Sequence, residues 1–550
     1  MRELIRKYAL QNAHFFEGKA QPGAVLGKVF AEKPELKKRA KETVSLVKEI
    51  VGEVNQLSLE KQRELLKEID SELMEKEVKD ETKELPDLLE AENGVVMRFA
   101  PNPNGPLHIG HSRQALLNDE YVKRYGGKFI LRFDDTDPKT LNKRPMAEAY
   151  EMIEEDLNWI GIKIDRKEFA SSRIPIYISH FDKLVKMGKG YVCTCDPEKW
   201  RLWRREGKAC PCRSEESGWE KMKSGEFKEG EAVARVKTDF DYPDPAARDW
   251  AAFRIIDEPN HPKVGNRFNL WPMLDFASAI DDREFGITHI IRGKDLDISE
   301  VRQKFLYSYF GWEYPIAETT GKLFIEGVVT SKSKIRSGIK EGKFSGWDDP
   351  QLATLQALKR RGFPPEAIRE FIVEIGIKPV NATLDMHALE VVVKRAIDKN
   401  SKRLFFAENP VLVNVEGAPK QEVELSFYPK ESFLGSRTLK TDGRFYLCKN
   451  DVSPGKLRLK GLYTIELDGG AKFLTTEMSD EERRSLRKAQ WVPVEGAKDA
   501  VLLKPDGSKI EGKIERNIEE IEEGETVQLE RVGFAKLESK DEITFILTAE

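Results

Sequence analysis

Two histidines and a run of prolines mark the segment Arg98-Phe-Ala-Pro-Asn-Pro-Asn-Gly-Pro-Leu-His-Ile-Gly-His111. The prolines and Gly105 end the apolar strand before them, and a run of helical character follows. A helix that begins here directs its free N–H groups and the positive end of its dipole at an anion in the turn. His108 and His111 lie on one face of that helix, so both can donate to phosphate oxygens. The segment predicts a nucleotide-phosphate site, although two such histidines alone are more often surface or packing residues.

Charged side chains are predicted at three strand ends, the first of which leads into this turn. Arg98 precedes the proline-rich turn, and Arg292 closes the strand-to-turn segment Ile287-Thr-His-Ile-Ile-Arg-Gly293. Two guanidinium groups so placed could bind a dicarboxylic substrate through bidentate hydrogen bonds. Asp134 follows an apolar run and could receive a cationic group. The alternative is that the arginines form surface ion pairs and that Asp134 caps a turn.

Four of the five cysteines form two Cys-x-Cys pairs, Cys193 with Cys195 and Cys210 with Cys212. This clustering predicts a structural tetrahedral zinc site, because disulfides are disfavoured in a reducing cytosol. The spacing is tighter than the usual Cys-x2-Cys. Unligated or redox-active thiols are therefore the alternative.

The elements that must position these residues follow from periodicity. Apolar residues at helical spacing between about Leu36 and Leu85 predict a helical N-terminal extension, residues 1–93. From Gly94 the pattern is strand, helix, strand, over Val95 to Phe99, Ser112 to Tyr125 and Lys128 to Phe133. This order predicts a parallel α/β sheet, in which ligands gather at the carboxyl ends of the strands.

Changes of composition and pattern predict five further regions. These are the first half of an α/β domain over residues 94–187, an inserted domain with the cysteine cluster over 188–264, the second half of the α/β domain over 265–345, a helical connecting domain over 346–405 and an all-β region over 406–550.

The bulk composition excludes some classes of protein. With 39% hydrophobic and 34% charged residues, the chain has no apolar run of the roughly 18 residues that a membrane span needs. Charges of both signs occupy the N-terminal segment Met1 to Lys7, which predicts a cytosolic protein without an export signal and without a membrane partner. A net charge of −4 argues against indiscriminate coating of nucleic acid, although local basic clusters remain compatible with RNA binding.

Two motifs together resemble the signatures of class I aminoacyl-tRNA synthetases. His108-Ile-Gly-His111 resembles the first signature, HIGH, and the preceding Phe-Ala-Pro-Asn-Pro resembles its form in the glutamyl/glutaminyl branch. Ser331-Lys332-Ser333 matches the last three positions of the second, KMSKS, whereas Val329 and Thr330 depart from it. Alone, the second motif is indistinguishable from a basic surface loop. The resemblance covers about residues 94 to 345 and, more loosely, the regions that follow.

The resemblance implies the fold and the roles of the candidate residues. The fold is a Rossmann-like class I core with an inserted acceptor-stem-binding domain, a helical domain and all-β anticodon-binding barrels, after a helical extension. His108, His111 and Lys332 would be catalytic, and Arg98, Asp134 and Arg292 would bind glutamate. ATP, with Mg²⁺, would contact Pro101, Asn102, Pro103, Asn104, Gly105, His108, Gly110, His111, Ser331, Lys332 and Ser333.

Within this branch the sequence is similar to archaeal-type glutamyl-tRNA synthetases. These enzymes carry arginines at the positions of Arg98 and Arg292, whereas the glutaminyl enzymes lack the second. The family usually has a tyrosine in the segment Trp271-Pro-Met-Leu-Asp-Phe276, where this chain has Leu274. Several relatives carry zinc in the acceptor-end domain, which supports the four-cysteine site.

The activity that the resemblance implies is ATP-dependent activation of L-glutamate followed by transfer to the terminal adenosine of tRNA(Glu), often only once tRNA is bound. The sequence leaves open whether tRNA(Gln) is also an acceptor. Two alternatives compete: a nucleotidyltransferase acting on a small molecule, and a catalytically altered RNA-binding relative. The intact His108, His111 and Lys332 argue against the second, and a β-rich C-terminal region suited to gripping RNA argues against the first.

Overall fold

The computed structural model describes residues 1–16, 18–69, 84–214, 218–429, 433–477, 479 and 485–550. It divides into two compact units, residues 1–82 and 83–550. None of the helices in the described ranges combines the length and the apolar character that a bilayer span requires.

The first unit is helical, as predicted. Its helices are α1 (Arg2–Phe15), α2 (Pro22–Glu32), α3 (Ala40–Asn55) and α4 (Leu59–Ile69). They share one apolar core, in which the buried Gln62 amide donates to three backbone carbonyls, those of Gly18, Val54 and Leu57. The predicted continuation of the helical pattern over 70–83 lies outside the described residues.

A parallel sheet with a covering helix opens the second unit. The elements are β1 (Val96–Phe99), α5 (Ile109–Tyr125), β2 (Lys128–Phe133), α6 (Ala149–Trp159) and β3 (Arg166–Phe169). The strands pair in the order β1-β2-β3, and the Val96 carbonyl accepts from the Thr288 N–H near the next strand pair. The predicted parallel α/β pattern is confirmed. Helix α5 begins three residues before the predicted Ser112 because His108 caps it.

An antiparallel sheet interrupts this core. Its elements are α7 (Ile174–Lys186), β4 (Gly190–Cys193), α8 (Pro197–Glu206), α9 (Trp219–Ser224), β5 (Val233–Val236), β6 (Ala251–Ile255) and β7 (Leu270–Pro272). Strands β4 to β7 pair in sequence order around buried tryptophans, so the sheet extends past residue 264.

The parallel pattern then resumes with α10 (Leu274–Glu284), β8 (His289–Gly293), α11 (Asp297–Phe310), β9 (Ile316–Thr320), β10 (Leu323–Ile325) and α12 (Lys332–Lys340). A mainly helical segment follows, with α13 (Leu355–Arg360), α14 (Pro365–Ile375), β11 (Ala382–Leu384) and α15 (Met386–Ile397). Strand β8 pairs with β9 and β10 with β11, both in parallel. The carboxyl ends of β1, β2 and β8 thus carry Arg98, Asp134 and Arg292.

The C-terminal region consists of strands in two seven-stranded sheets and a hairpin. The strands are β12 (Arg403–Leu404), β13 (Phe406–Glu408), β14 (Pro410–Glu416), β15 (Gln421–Ser426), β16 (Ser436–Thr441), β17 (Arg444–Cys448), β18 (Gly455–Leu459), β19 (Thr464–Leu467), β20 (Ala471–Thr475), β21 (Arg487–Ala489), β22 (Val492–Pro493), β23 (Lys498–Leu503), β24 (Lys509–Ile514), β25 (Thr526–Leu529), β26 (Gly533–Ser539) and β27 (Thr544–Ala549). The sheet orders are β12-β25-β26-β27-β23-β24-β13 and β21-β18-β19-β20-β14-β17-β22, and β15 pairs with β16. Each large sheet encloses its own apolar core, which confirms the predicted barrel-like all-β region.

Candidate active site

The proline-rich turn connects the carboxyl end of β1 to the start of α5. Gly105 in this turn has φ +144°, and a Cβ there would lie 3.0 Å from a ring carbon of Trp347, so the position requires glycine. The Nδ1 atom of His108 accepts a hydrogen bond from the Gly110 N–H at 3.0 Å and caps the helix. These contacts hold the backbone of the turn in a defined conformation.

His108 and His111 lie against each other at this helix start, with ring centroids 3.8 Å apart. Burial, reinforced by the nearby Lys332 ammonium, lowers the pKa of His108 to about 3. Burial also lowers the pKa of His111 well below its usual value. Both rings are therefore neutral at pH 7. Because Nδ1 of His108 is an acceptor, its proton lies on Nε2, which can donate to a phosphate oxygen.

Lys332 contacts the proline-rich turn that precedes the histidines. It is the first residue of α12, and its Nζ donates to the Gly105 carbonyl at 2.9 Å. Burial lowers its pKa to about 7, while the Asp156 carboxylate opposes that shift. One helical turn later, Arg336 donates to the Asn104 carbonyl at 2.8 Å. The structure thus brings the two signature motifs together across more than 200 residues of sequence.

Two adjoining cavities open beside this turn. The larger, about 360 Å³, is lined by His108, Gly110 and His111 among others. The smaller, about 170 Å³, is lined by the three residues predicted to bind glutamate, Arg98, Asp134 and Arg292, and also by Leu274 and Asn102. Gln114, Gly293 and Leu296 line both cavities. A substrate carboxyl group in the smaller cavity can therefore reach a nucleotide in the larger one.

The remaining predicted ATP-binding residues lie around the same turn. Asn102 lines the smaller cavity, and its Nδ2 donates to the Asp134 carbonyl at 3.2 Å. Asn104 donates instead to the Asn142 carbonyl, and the Ser331 and Ser333 hydroxyls lie 3.1 Å apart. Pro101 accepts from the Asp134 N–H, and Pro103 accepts from the Met146 N–H. The two prolines and Asn104 belong to the turn, whereas Ser331 and Ser333 lie at the start of α12. None of these five residues is among those that line the two cavities.

Arg98 and Asp134 already have partners of opposite charge. The Arg98 guanidinium donates to both carboxylate oxygens of Asp282, at 2.8 and 3.0 Å. Asp134 accepts from Arg132 at 3.2 Å, and burial raises the pKa of the Asp134 carboxyl. The ion pair that was the alternative to substrate binding for Arg98 is thus present, but it is buried in the cavity wall rather than on the surface. The Arg132–Asp134 pair lines the same cavity.

Arg292 differs from these groups because its partners are uncharged. Its side chain is buried, and Nη2 donates to the Tyr314 hydroxyl at 2.5 Å and to Oε1 of Gln303 at 3.4 Å. Its Nε has no hydrogen-bond partner within the described part of the chain. Among the described residues, Arg292 is the cation lining the smaller cavity that forms no ion pair with a carboxylate.

Several residues of the site were not predicted from the sequence. Arg132 contacts Asp134 and, at 2.5 Å, the buried Asp281. Its signal was a cation between the apolar residues Leu131 and Phe133 of strand β2. Asp156 accepts from the Leu107 N–H at 2.7 Å, and burial raises its pKa to about 7. Gln303 lies on α11, a helix whose sequence gives no sign that one face meets a cavity.

Leu274, where the resembling family has a tyrosine in this segment, is the first residue of α10 and lines the smaller cavity. Its side chain can offer no hydrogen bond, but its carbonyl accepts from the Ser278 hydroxyl at 2.8 Å. The polar side chains of α10 that line this wall are those of Asp275 and Ser278.

The four clustered cysteines meet beside β4, as predicted. Their sulfur atoms all lie within 4.8 Å of one another. The Sγ atoms of Cys193 and Cys210 are 3.8 Å apart, and those of Cys195 and Cys212 are 3.5 Å apart. Tetrahedral Zn–S bonds of about 2.3 Å place sulfurs about 3.8 Å apart, so the donor set fits zinc.

The comparisons with known proteins agree with this geometry. Residues 94–399 match the catalytic-domain family of the tRNA synthetases class I (E and Q), and residues 401–480 and 488–538 match its two anticodon-binding-domain families. The fold and site therefore define a class I aminoacyl-tRNA synthetase. Within that class, the chain belongs to the E and Q family.

Individual relatives are similar over nearly the whole chain. The glutamate–tRNA ligase of Pyrococcus furiosus is 48% identical over 98% of this chain and 97% of its own length. The corresponding ligase of Methanothermobacter marburgensis is 42% identical, covering 98% of each chain. A solved glutamate–tRNA synthetase from Elizabethkingia anophelis is 23% identical, with a TM-score of 0.40 over 55% of this chain and 70% of that one.

Proposed function

We propose that this chain is a glutamate–tRNA ligase that activates L-glutamate with ATP and transfers it to the terminal adenosine of tRNA(Glu). The uncompensated Arg292 in a cavity beside the histidine turn carries the proposal, because such a charge selects a substrate with a side-chain carboxylate. The high identity to archaeal glutamate–tRNA ligases supports it. The nucleotidyltransferase and the altered RNA-binding relative are not favoured.

In the first step the α-carboxylate of glutamate attacks the α-phosphate of ATP. This gives glutamyl-adenylate and releases pyrophosphate. Arg292 and Arg98 would orient the glutamate side chain, and Asp134 would receive its ammonium group. ATP, as its Mg²⁺ complex, would lie over the histidine turn. His108 and His111 would donate to phosphate oxygens as neutral rings, while the Lys332 ammonium would leave the Gly105 carbonyl to follow the migrating charge. Rate enhancement then comes from positioning and charge stabilisation.

The second step transfers the glutamyl group from the adenylate to a hydroxyl of the terminal adenosine of tRNA and releases AMP. The matched anticodon-binding regions supply the surface for the distant end of that RNA. We also propose the region bounds given by the sequence, with acceptor-stem binding by residues 188–264, except that the sheet of this domain continues through β7 to Pro272. A cytosolic location is part of the same proposal. The acceptor is tRNA(Glu), and tRNA(Gln) is a second candidate acceptor.

Charging assays with purified tRNA(Glu) and tRNA(Gln), each with labelled glutamate or labelled glutamine, test this proposal. We expect glutamate on tRNA(Glu) and no glutamine on either RNA. Glutamate on tRNA(Gln) would show the broader acceptor range. Charging of neither RNA with glutamate would contradict the proposal.

We further propose that Cys193, Cys195, Cys210 and Cys212 hold one structural zinc ion that ties β4 to the loop after α8. Elemental analysis of carefully purified protein is expected to give about one equivalent of zinc. The double variant Cys193→Ser/Cys210→Ser should lose it, whereas Cys448→Ser, which changes the cysteine outside the cluster, should retain it. Less than about half an equivalent in the unaltered protein would favour free or redox-active thiols instead.

A further inference from the structure

Arg292 is held by a directional chain of hydrogen bonds between uncharged groups. Its Nη2 donates to the Tyr314 hydroxyl, which donates in turn to Oε1 of Gln303 at 2.7 Å. The Gln303 Nε2 donates to the Ser278 hydroxyl at 2.7 Å, and that hydroxyl donates to the Leu274 carbonyl. Arg292 can only donate, so the Tyr314 hydroxyl accepts from it and must donate its own proton to Gln303. The amide oxygen of Gln303 therefore faces Tyr314 and Arg292, and its NH2 group faces Ser278.

The other arginines around this cavity are arranged differently. Arg98 pairs with Asp282 and Arg132 with Asp281, while Arg302, the neighbour of Gln303 on α11, pairs with Asp275 at 2.5 Å. No aspartate or glutamate in the described ranges forms an ion pair with Arg292. A buried cation is ordinarily paired, so its support by a glutamine and a tyrosine is a distinctive feature of this site.

We propose that Gln303 and Tyr314 are positioning residues that fix Arg292 through neutral acceptors and so preserve its charge for the side-chain carboxylate of the substrate. This inference rests on the proposed function and deepens it. An acidic residue at position 303 would hold the guanidinium equally well, but it would neutralise the charge on which the choice of glutamate over glutamine depends. Selectivity for glutamate over glutamine then depends on the uncharged Gln303 as well as on Arg292 itself.

The buried Gln303 is well placed for this role. Its side chain lines the smaller cavity and touches Arg292, Tyr314, Ser278 and the Asp275 carbonyl. The Tyr314 hydroxyl lies between Gln303 and the Arg292 guanidinium. The ring of Tyr314 packs edge-on against the ring of Tyr307, with the two centroids 5.0 Å apart. The aromatic contact limits movement of the hydroxyl, so the guanidinium is held in one position.

The test uses Gln303→Glu, which preserves size and shape, and Tyr314→Phe, which removes only the hydroxyl. Gln56→Glu, at an exposed position after α3, is the control for the charge change. The measurements, made on the full chain with tRNA present, are the KM values for glutamate and ATP and the inhibition constant of glutamine. The ratio of the glutamine inhibition constant to the glutamate KM reports selectivity.

For Gln303→Glu we expect the glutamate KM to rise at least ~10-fold, the selectivity ratio to fall by a similar factor, and the ATP KM to stay within about twofold. For Tyr314→Phe we expect a change in the same direction of about threefold or more. A loss of packing alone would weaken glutamate and glutamine binding equally and leave the ratio unchanged.

An unchanged ratio in a folded Gln303→Glu variant would overturn the inference. If that variant does not fold, an unchanged ratio in Tyr314→Phe would overturn it. Failure of the proposed function would be distinguished by the unaltered protein. In that case the unaltered protein itself would show no glutamate-dependent activity, whatever the variants do.

Discussion

Lys332→Ala is expected to lower glutamyl-adenylate formation at least ~100-fold, which corresponds to about 2.7 kcal/mol of lost transition-state stabilisation. The Lys332 ammonium is half-buried against the histidine turn and donates to the Gly105 carbonyl, so it lies beside the place where the phosphates would bind. Its removal takes away a mobile positive charge from the departing pyrophosphate. Single-turnover adenylate formation with saturating tRNA measures the effect.

Lys334→Ala is the matched control for this prediction. Lys334 is exposed and lies two residues further along α12, so its removal should leave adenylate formation within about twofold. Binding of tRNA should persist in both variants, because neither lysine belongs to the β-rich region. If Lys332→Ala retains near-normal adenylate formation, the assignment of the signature lysine is wrong.

Arg292→Leu is expected to lower kcat/KM for glutamate at least ~100-fold, because the change removes the uncompensated charge that would bind the substrate carboxylate. Leucine fills much of the same volume but leaves the Tyr314 hydroxyl and the Gln303 amide without their charged donor. The KM for ATP should change little, since His108 and His111 line the neighbouring cavity. Steady-state kinetics at varied glutamate and varied ATP separate the two effects.

Arg6→Leu, at an exposed position on α1, controls for the loss of one positive charge and should leave both KM values unchanged. Thermal unfolding of the two variants reports whether the buried substitution disturbs the fold. A folded Arg292→Leu protein with an unaltered glutamate KM would show that the side-chain carboxylate binds elsewhere.

Local sequence patterns predicted the elements of the catalytic core well. The apolar run Lys128 to Phe133 is the observed strand β2, and the proline-rich turn indeed connects β1 to a helix. Such patterns depend on neighbours along the chain, where steric and helix-capping effects dominate. The start of α5 was misplaced by three residues, because a histidine that caps a helix through its ring nitrogen is an uncommon signal.

The contents of the cavities could be predicted only in part. Arg98, Asp134 and Arg292 were found because charged residues at strand ends stand out against apolar strands. Gln303 was not found, because its role depends on Tyr314, Ser278 and Arg292, which approach it from other elements. The same limit applies to Asp282, which neutralises Arg98 across 184 residues of sequence. Long-range contacts of this kind leave no local periodicity.

The chemical identity of the ester formed on tRNA tests the central claim most directly. The protein would be incubated with ATP, Mg²⁺, tRNA(Glu) and an equimolar mixture of the standard amino acids. The 3′-terminal adenosine would then be released with a nuclease, and its mass would be measured by mass spectrometry. A glutamate–tRNA ligase yields glutamyl-adenosine as the aminoacylated product. Adenosine without an amino acid, or carrying glutamine or another amino acid in place of glutamate, would contradict the account.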